Sequence, residues 1–298
     1  MPKIELLNST LLTDFPSGSS INYYREKIYL IGDDATNILI LDKDYQQIDS
    51  LQLFNYSGKR IPKADKVDLE ASAFITIHKQ EYFLLVGSAS KPEREKVFLI
   101  PFTETGLDMK SLRIYDDDKF TDRMKRKGIE EVNMEGITII NDYLILTNRG
   151  NRKNQANHFL ITEVGFWRED RKVNLNIIPV QINASSDVPS ISEICYVETF
   201  DTLLVTLSTE ASDNAYDDGA IGNSYVGFIN NISSKLNSTT ELTIDTLINL
   251  SEVHADFKNE KIEGICVESV HDNTLIVHFV SDNDNGESKL FKAKLMLV

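Results

Sequence analysis

The chain of 298 residues is poor in the parts from which many other protein classes are built. It has two cysteines, Cys195 and Cys266, which excludes a disulfide-framed fold. Both fall in apolar, strand-like runs, so they read as buried free thiols. With seven prolines and no Ser/Gly-rich stretch, no linker divides the chain. No apolar run approaches the ~20 residues needed to cross a bilayer. The opening residues, MPKIELLNST, lack a charged n-region and a long apolar h-region, so they do not form a secretory signal. The expectation is a cytoplasmic protein, or an exported one whose leader is absent from this sequence. Basic residues are scarce as well: 31 Lys and Arg stand against 46 Asp and Glu, a net charge of −15, which argues against nucleic-acid binding. The five histidines (His78, His158, His254, His271 and His278) show no metal-ligand spacing. There is no G-x-S-x-G elbow, Walker loop or Rossmann fingerprint.

What the chain does have is a repeat. Four segments carry a glutamate at one place: VDLEASAF at Glu70, VNMEGITI at Glu135, SISEICYV at Glu193 and EKIEGICV at Glu263. A fifth, earlier copy, SGSSINYY, puts Ser20 there, and the intervals are 50, 65, 58 and 70 residues. Each copy is followed by two more apolar runs, and the first four also by a fourth, such as IDSLQLF and SLRIYD. Short alternating runs repeated at this period predict an all-β, five-bladed β-propeller with four antiparallel strands per blade. The fifth copy has only three runs, and KIELLNSTLL, residues 3–12, is the missing fourth. The prediction is one domain over 1–298, with blades near 19–53, 67–115, 132–182, 189–250 and 261–298 plus 3–12. The N-terminal strand would thereby close the ring and cover its open edges.

In such a ring the first strand of each blade lines a central channel, and the marked residues stand at the starts of those strands. Ser20, Glu70, Glu135, Glu193 and Glu263 are therefore expected at the channel mouth. Two carboxylates about 5 Å apart repel by roughly 3 kcal/mol at an effective dielectric near 20. A ring of four reaches on the order of 15 kcal/mol, the size of a domain's whole stability. The remedies are a central cation, basic side chains reaching in, or raised pKa values. All-oxygen donors favour calcium first and magnesium second. The other reading is that some glutamates cap backbone N–H groups and tie blades together.

These five positions, one per blade, resemble the calcium-activated nucleotidases (apyrases), five-bladed propellers that hold calcium at the channel mouth with serine and glutamate. KIEGICV and SGSSINYYREKIYLIGDD carry the resemblance best. In that family the fourth-blade position is a serine within a His-Gly-Phe-Ser-Ser stretch, whereas here PSISEIC offers Ser192 or Glu193. EGIT, EGIC and SDNDNG are also similar to short motifs of phytase-like and esterase-like bacterial propellers. The resemblance implies a calcium-dependent hydrolase of phosphate esters or nucleotides and, in the third blade, a basic substrate-binding pair at Arg149 and Arg152.

Basic residues gather in the loops expected on the glutamate face: Lys59, Arg60, Lys63 and Lys66 before Glu70, and Arg123, Lys125, Arg126 and Lys127 before Glu135. Arg149, Arg152 and Lys153 follow in the third blade. Asp33, Asp34, Asp213, Asp217, Asp218, Asp282 and Asp284 belong to the same face. Arginine forks suit phosphate oxygens, which points to an anionic small molecule as partner of a monomeric protein. SDNDNG lacks the glutamate of an EF-hand loop and reads as a turn. Trp167 and Phe166 follow a third strand, as an exposed patch or a packing ring between blades. Two hypotheses remain open: a metal-dependent hydrolase of an anionic small molecule, and a non-catalytic propeller whose channel ion is structural and whose loop face binds a ligand or protein partner.

Overall fold

The computed structural model describes residues 2–151, 153–168, 173–183, 189–210, 221–283 and 285–297. Runs rich in Ile, Leu, Val, Phe and Tyr form short strands because branched and aromatic side chains fit a pleated surface. They assemble into five mainly antiparallel sheets, four of which follow chain order from the innermost strand outward, while in the fifth the N-terminal strand is outermost. The innermost strands are Gly18–Tyr24, Leu69–Ile77, Met134–Ile140, Ser190–Val197 and Ile262–His271. Each packs beside the next, and the fifth packs beside the first, so the sheets close a five-bladed β-propeller.

Side-chain alternation explains why the blades stack. In Lys27–Gly32, Ile28 and Leu30 face the fifth blade while Tyr29 and Ile31 face the second. Repeated around the ring, this produces five apolar clusters, one at each seam between neighbouring blades. The core is thus distributed, and no blade buries its faces alone.

Closure follows the expected route. Strand Lys3–Leu12 lies antiparallel to Ser288–Met296, from Lys3 opposite Met296 to Leu12 opposite Ser288. A second tie joins blades three and four: Leu242–Thr243 pairs in parallel with the outer strand Asn176–Gln181. Helix Asp118–Arg126 fills the connection between blades two and three, with Phe120 and Met124 buried at the seam. Phe166 and Trp167 are buried there too, Phe166 with its ring centroid 4.5 Å from that of Phe120. They are therefore a packing ring between blades. Both cysteines are free, Cys266 buried and Cys195 partly so. Among the described residues no helix is long and apolar enough to cross a membrane.

Candidate functional site at the channel mouth

Every innermost strand begins with a bulge, and the bulges define the site. In the second blade Leu69 pairs with Gly87 and Ala71 with Val86, leaving Glu70 unpaired. Glu263 is left out in the same way between Ile262 and Gly264. In the third blade Glu135 and Gly136 together oppose Thr147 alone. In the first and fourth blades the residues left out are Ser19 and Ser192, and Ser20 and Glu193 are the next paired positions. Aligned by pairing, the ring at the mouth is Ser19, Glu70, Glu135, Ser192 and Glu263, with Ser20 and Glu193 one position further along their strands. The thiols agree with this alignment, since Cys195 and Cys266 each follow their bulged residue by three. A bulged residue re-aims its side chain, which is why such irregularities gather at the rims of closed sheets.

Glu193 is held by backbone and hydroxyl donors. Its Oε1 accepts from the N–H of Ile137 at 3.0 Å and of Ile194 at 2.9 Å. Its Oε2 accepts from the Ser20 hydroxyl at 2.7 Å. Ser20 in turn meets the Ser72 hydroxyl at 2.8 Å, and Asn22 Nδ2 donates to that Ser72 oxygen at 2.6 Å. This chain links blades one, two, three and four, which is the tying role left open above. Burial pushes the Glu193 pKa well up, while the Ile194, Ser20 and Ile137 donors pull it down. Ser19 donates to the Leu69 carbonyl at 2.5 Å, and Ser192 lies 3.3 Å from the Ser208 hydroxyl.

The other glutamates are partnered by basic groups reaching into the channel. Arg149 leaves the loop after the third blade's second strand and enters the ring, with Nη1 3.4 Å from Glu135 Oε1 and 3.6 Å from Glu263 Oε1. Its Nη2 donates to Ser208 Oγ at 3.1 Å. Its side chain is 9% exposed, so it is an internal counter-ion rather than part of a separate basic wall. Lys261 stands 2.9 Å from Glu263 Oε1, and Asn133 Nδ2 donates to Glu135 Oε1 at 2.7 Å. Even so, burial pushes Glu135 up to about 8, with Arg149 opposing and Glu263 adding to the rise. Among the described residues Glu263 Oε2 is buried with no hydrogen-bond partner.

Glu70 differs. Among the described residues its carboxylate makes no hydrogen bond or ion pair, and with Asp33 and Asp68 it forms a group whose oxygens lie within 4.8 Å of one another. Burial raises Glu70 well above the usual carboxylate range, with Glu135 and Asp68 adding to it, and lifts Asp33 to about 6. Lys66 is the cation set against this group, paired with Asp33 and lying 2.7 Å from Asp68 Oδ1. Arg94 and the Ser88 hydroxyl hold Asp68 Oδ2. Asp34 is held by Arg60 at 2.7 Å, while Asp33 Oδ1 and Asp34 Oδ1 are buried without hydrogen-bond partners among the described residues.

Other predicted residues lie elsewhere. Lys59 pairs with exposed Asp14, and Arg123 donates to the carbonyls of Val173 and Phe166 inside a blade seam. Lys125 lies 4.0 Å from Glu95. Arg152, Asp213, Asp217, Asp218 and Asp284 lie outside the described residues. Sequence reasoning missed Asp68, Asn133 and Lys261, each two residues before a bulged glutamate. Their common spacing was visible in VDLE, VNME and EKIE, because residues two apart on a strand face the same way.

Residues 14–295 match a family model described as a family of unknown function, DUF6929. No curated protein sequence matches the chain. Among solved structures, glutaminyl cyclase from Myxococcus xanthus is similar with a TM-score of 0.57 at 11% identity, over 100% of this chain and 98% of that one. A DUF4221 member from Bacteroides vulgatus scores 0.42 at 10% identity, over 100% and 99% of the two chains. Virginiamycin B lyase from Staphylococcus aureus scores 0.34 at 11% identity, over 100% of both. At these identities only the fold is shared, and only the first score is high enough to bear on it.

Proposed function

The chain belongs to this family of unknown function, DUF6929, and we propose that it is a metal-dependent propeller hydrolase. On this reading it takes calcium in preference to magnesium and acts on a phosphate ester or similar anionic small molecule at the channel mouth. The observation that supports this most is the convergence of Asp33, Asp68 and Glu70 within 4.8 Å, an all-oxygen donor set of the kind hard cations prefer. The partnerless Asp33 Oδ1 and Glu263 Oε2 fit a cation as well, since each is a buried acceptor with nothing yet to accept from. When bound, such an ion polarises a phosphoryl oxygen or an attacking water. The chain's own part is to bind and orient. Arg149 now shares its charge between Glu135 and Glu263, and a cation that draws on those carboxylates leaves the guanidinium fork for an anion. Cation and anion should therefore bind cooperatively. The resemblance to calcium-activated nucleotidases points the same way.

A second reading rests on a specific observation. Arg149, Lys261 and Lys66 already neutralise much of the ring, which supports a channel whose charges, and any ion they hold, serve only to tie the blades together. A non-catalytic propeller that binds a ligand or partner needs nothing more.

One experiment separates them: a thermal-shift and turnover screen of nucleotides, sugar phosphates and generic phosphoesters, with and without calcium. Calcium should raise the melting temperature by mass action, and Glu70→Gln should lose that response. Arg149→Ala combined with Arg152→Ala should weaken a phosphoester hit by roughly ten- to hundredfold while keeping the calcium response. No calcium response up to several millimolar, together with no turnover, leaves the non-catalytic reading.

A further inference from the structure

Where the ring closes, the seam between blades five and one contains an arrangement that the channel mouth does not use. Asp42 builds a tight turn after the first blade's third strand. Its Oδ1 accepts from the N–H of Asp44 at 2.9 Å and of Gln46 at 2.8 Å. Within that turn Tyr45 takes the left-handed conformation, with φ +68°. For a bulky side chain this is a strained backbone, retained only where the surroundings enforce it. The enforcement comes from the fifth blade. Tyr45 Oη lies 2.8 Å from Nδ1 of the fully buried His278, whose Nε2 lies 2.9 Å from Glu268 Oε2. Lys292 Nζ completes the row 2.7 Å from that Glu268 oxygen.

The fixed ring of Tyr45 forms part of the wall of a cavity of about 310 Å³ beside strand Lys3–Leu12. Phe15, Leu39 and Leu41 supply the apolar remainder of its floor, and Leu12 stands half-buried in its wall. The rim is polar: Asn37 donates to Ser50 Oγ at 2.9 Å, and Lys59 pairs with Asp14. That size matches small-molecule sites, which join an apolar body to a few polar groups. Both members of the rim pair are well exposed, so the pair contributes little and the ammonium can exchange Asp14 for another carboxylate.

We propose that this cavity binds a small amphipathic carboxylate, its apolar body against Tyr45, Phe15, Leu39 and Leu41 and its head at Lys59. The site lies on the outer flank of the closing seam and is independent of the channel reading. The test is calorimetric titration of the full chain with octanoate and, separately, with octanol. Octanoate should bind saturably at one site, and octanol at least fivefold more weakly. Leu12→Trp, which places an indole in the cavity from a partly buried position, should weaken octanoate at least tenfold at an unchanged melting temperature. Lys59→Ala should weaken it about fivefold, the size expected of one exposed charge contact. Saturable binding undiminished in Leu12→Trp, or no binding of either probe, overturns the site. Octanol binding as tightly as octanoate overturns the carboxylate head. If Leu12→Trp unfolds, Ser50→Trp on the opposite rim decides in its place, with the same loss expected.

Discussion

Asp117 precedes helix Asp118–Arg126, is 1% exposed, and among the described residues has no hydrogen-bond partner at either carboxyl oxygen. Burial first, then the neighbouring carboxylates of Glu95 and Asp118, push its pKa up to about 8. An unfolded aspartate titrates near 4, so between about pH 4 and 8 the folded chain keeps a proton that the unfolded chain has lost. Stability from this group is present below about pH 4 and is lost as pH rises through 8, by on the order of 5 kcal/mol at most. Asp117→Asn holds the neutral shape at every pH. Its melting temperature should match the parent's near pH 3.5 and exceed it by a margin that widens from about pH 4 to pH 8, as followed by circular dichroism. A margin that stays constant with pH would show that the carboxyl does not carry this titration.

The bulge is the element that converts strand starts into a site, and it also marks how far the sequence could be read. Alternating apolar runs disclosed the strands, their number per blade and the closing strand, because period-two burial leaves its mark directly on residue order. Glu70, Glu135 and Glu263 were legible as the mouth for the same reason. Ser19 was not, and Ser192 was offered only as an alternative to Glu193. A bulge is a property of backbone pairing, so in SISEIC and SGSSIN residue type alone could not say which of two neighbouring positions is left out of the ladder. The position of Arg149 was equally hidden, because only the curvature of the ring brings glutamates from blades three and five to one guanidinium. Gly136 tests the arrangement. A Cβ there would lie 2.7 Å from the side-chain Oε1 of Glu193 and from the backbone nitrogen of Ile194, and the latter cannot yield. Gly136→Ala should therefore cost about 1–3 kcal/mol in chemical denaturation. Gly58→Ala, whose nearest neighbour would be 3.7 Å away, should cost far less. Equal costs would mean that the contact is not restrictive.

At the scale of the molecule, five seams share the core, and one of them is sealed by strand Lys3–Leu12. Deleting residues 1–12 leaves Ser288–Met296 as a bare edge, and the expected outcome is aggregation or a broad, non-cooperative melt. A synthetic peptide of residues 3–12 should restore a sharp transition when added in trans. A truncated protein that melts cooperatively as a monomer would show that closure is dispensable. The same pairing sets an order of events during synthesis. The strand that seals the ring is made before the strands it closes upon, and its partner after all of them. Until then it waits without a sheet, while the blades between them can dock one upon another in sequence. The early segment therefore acts as a timer: the ring cannot lock until nearly all of this sequence has been made, and a ribosome stalled late would release an open arc with one adhesive end.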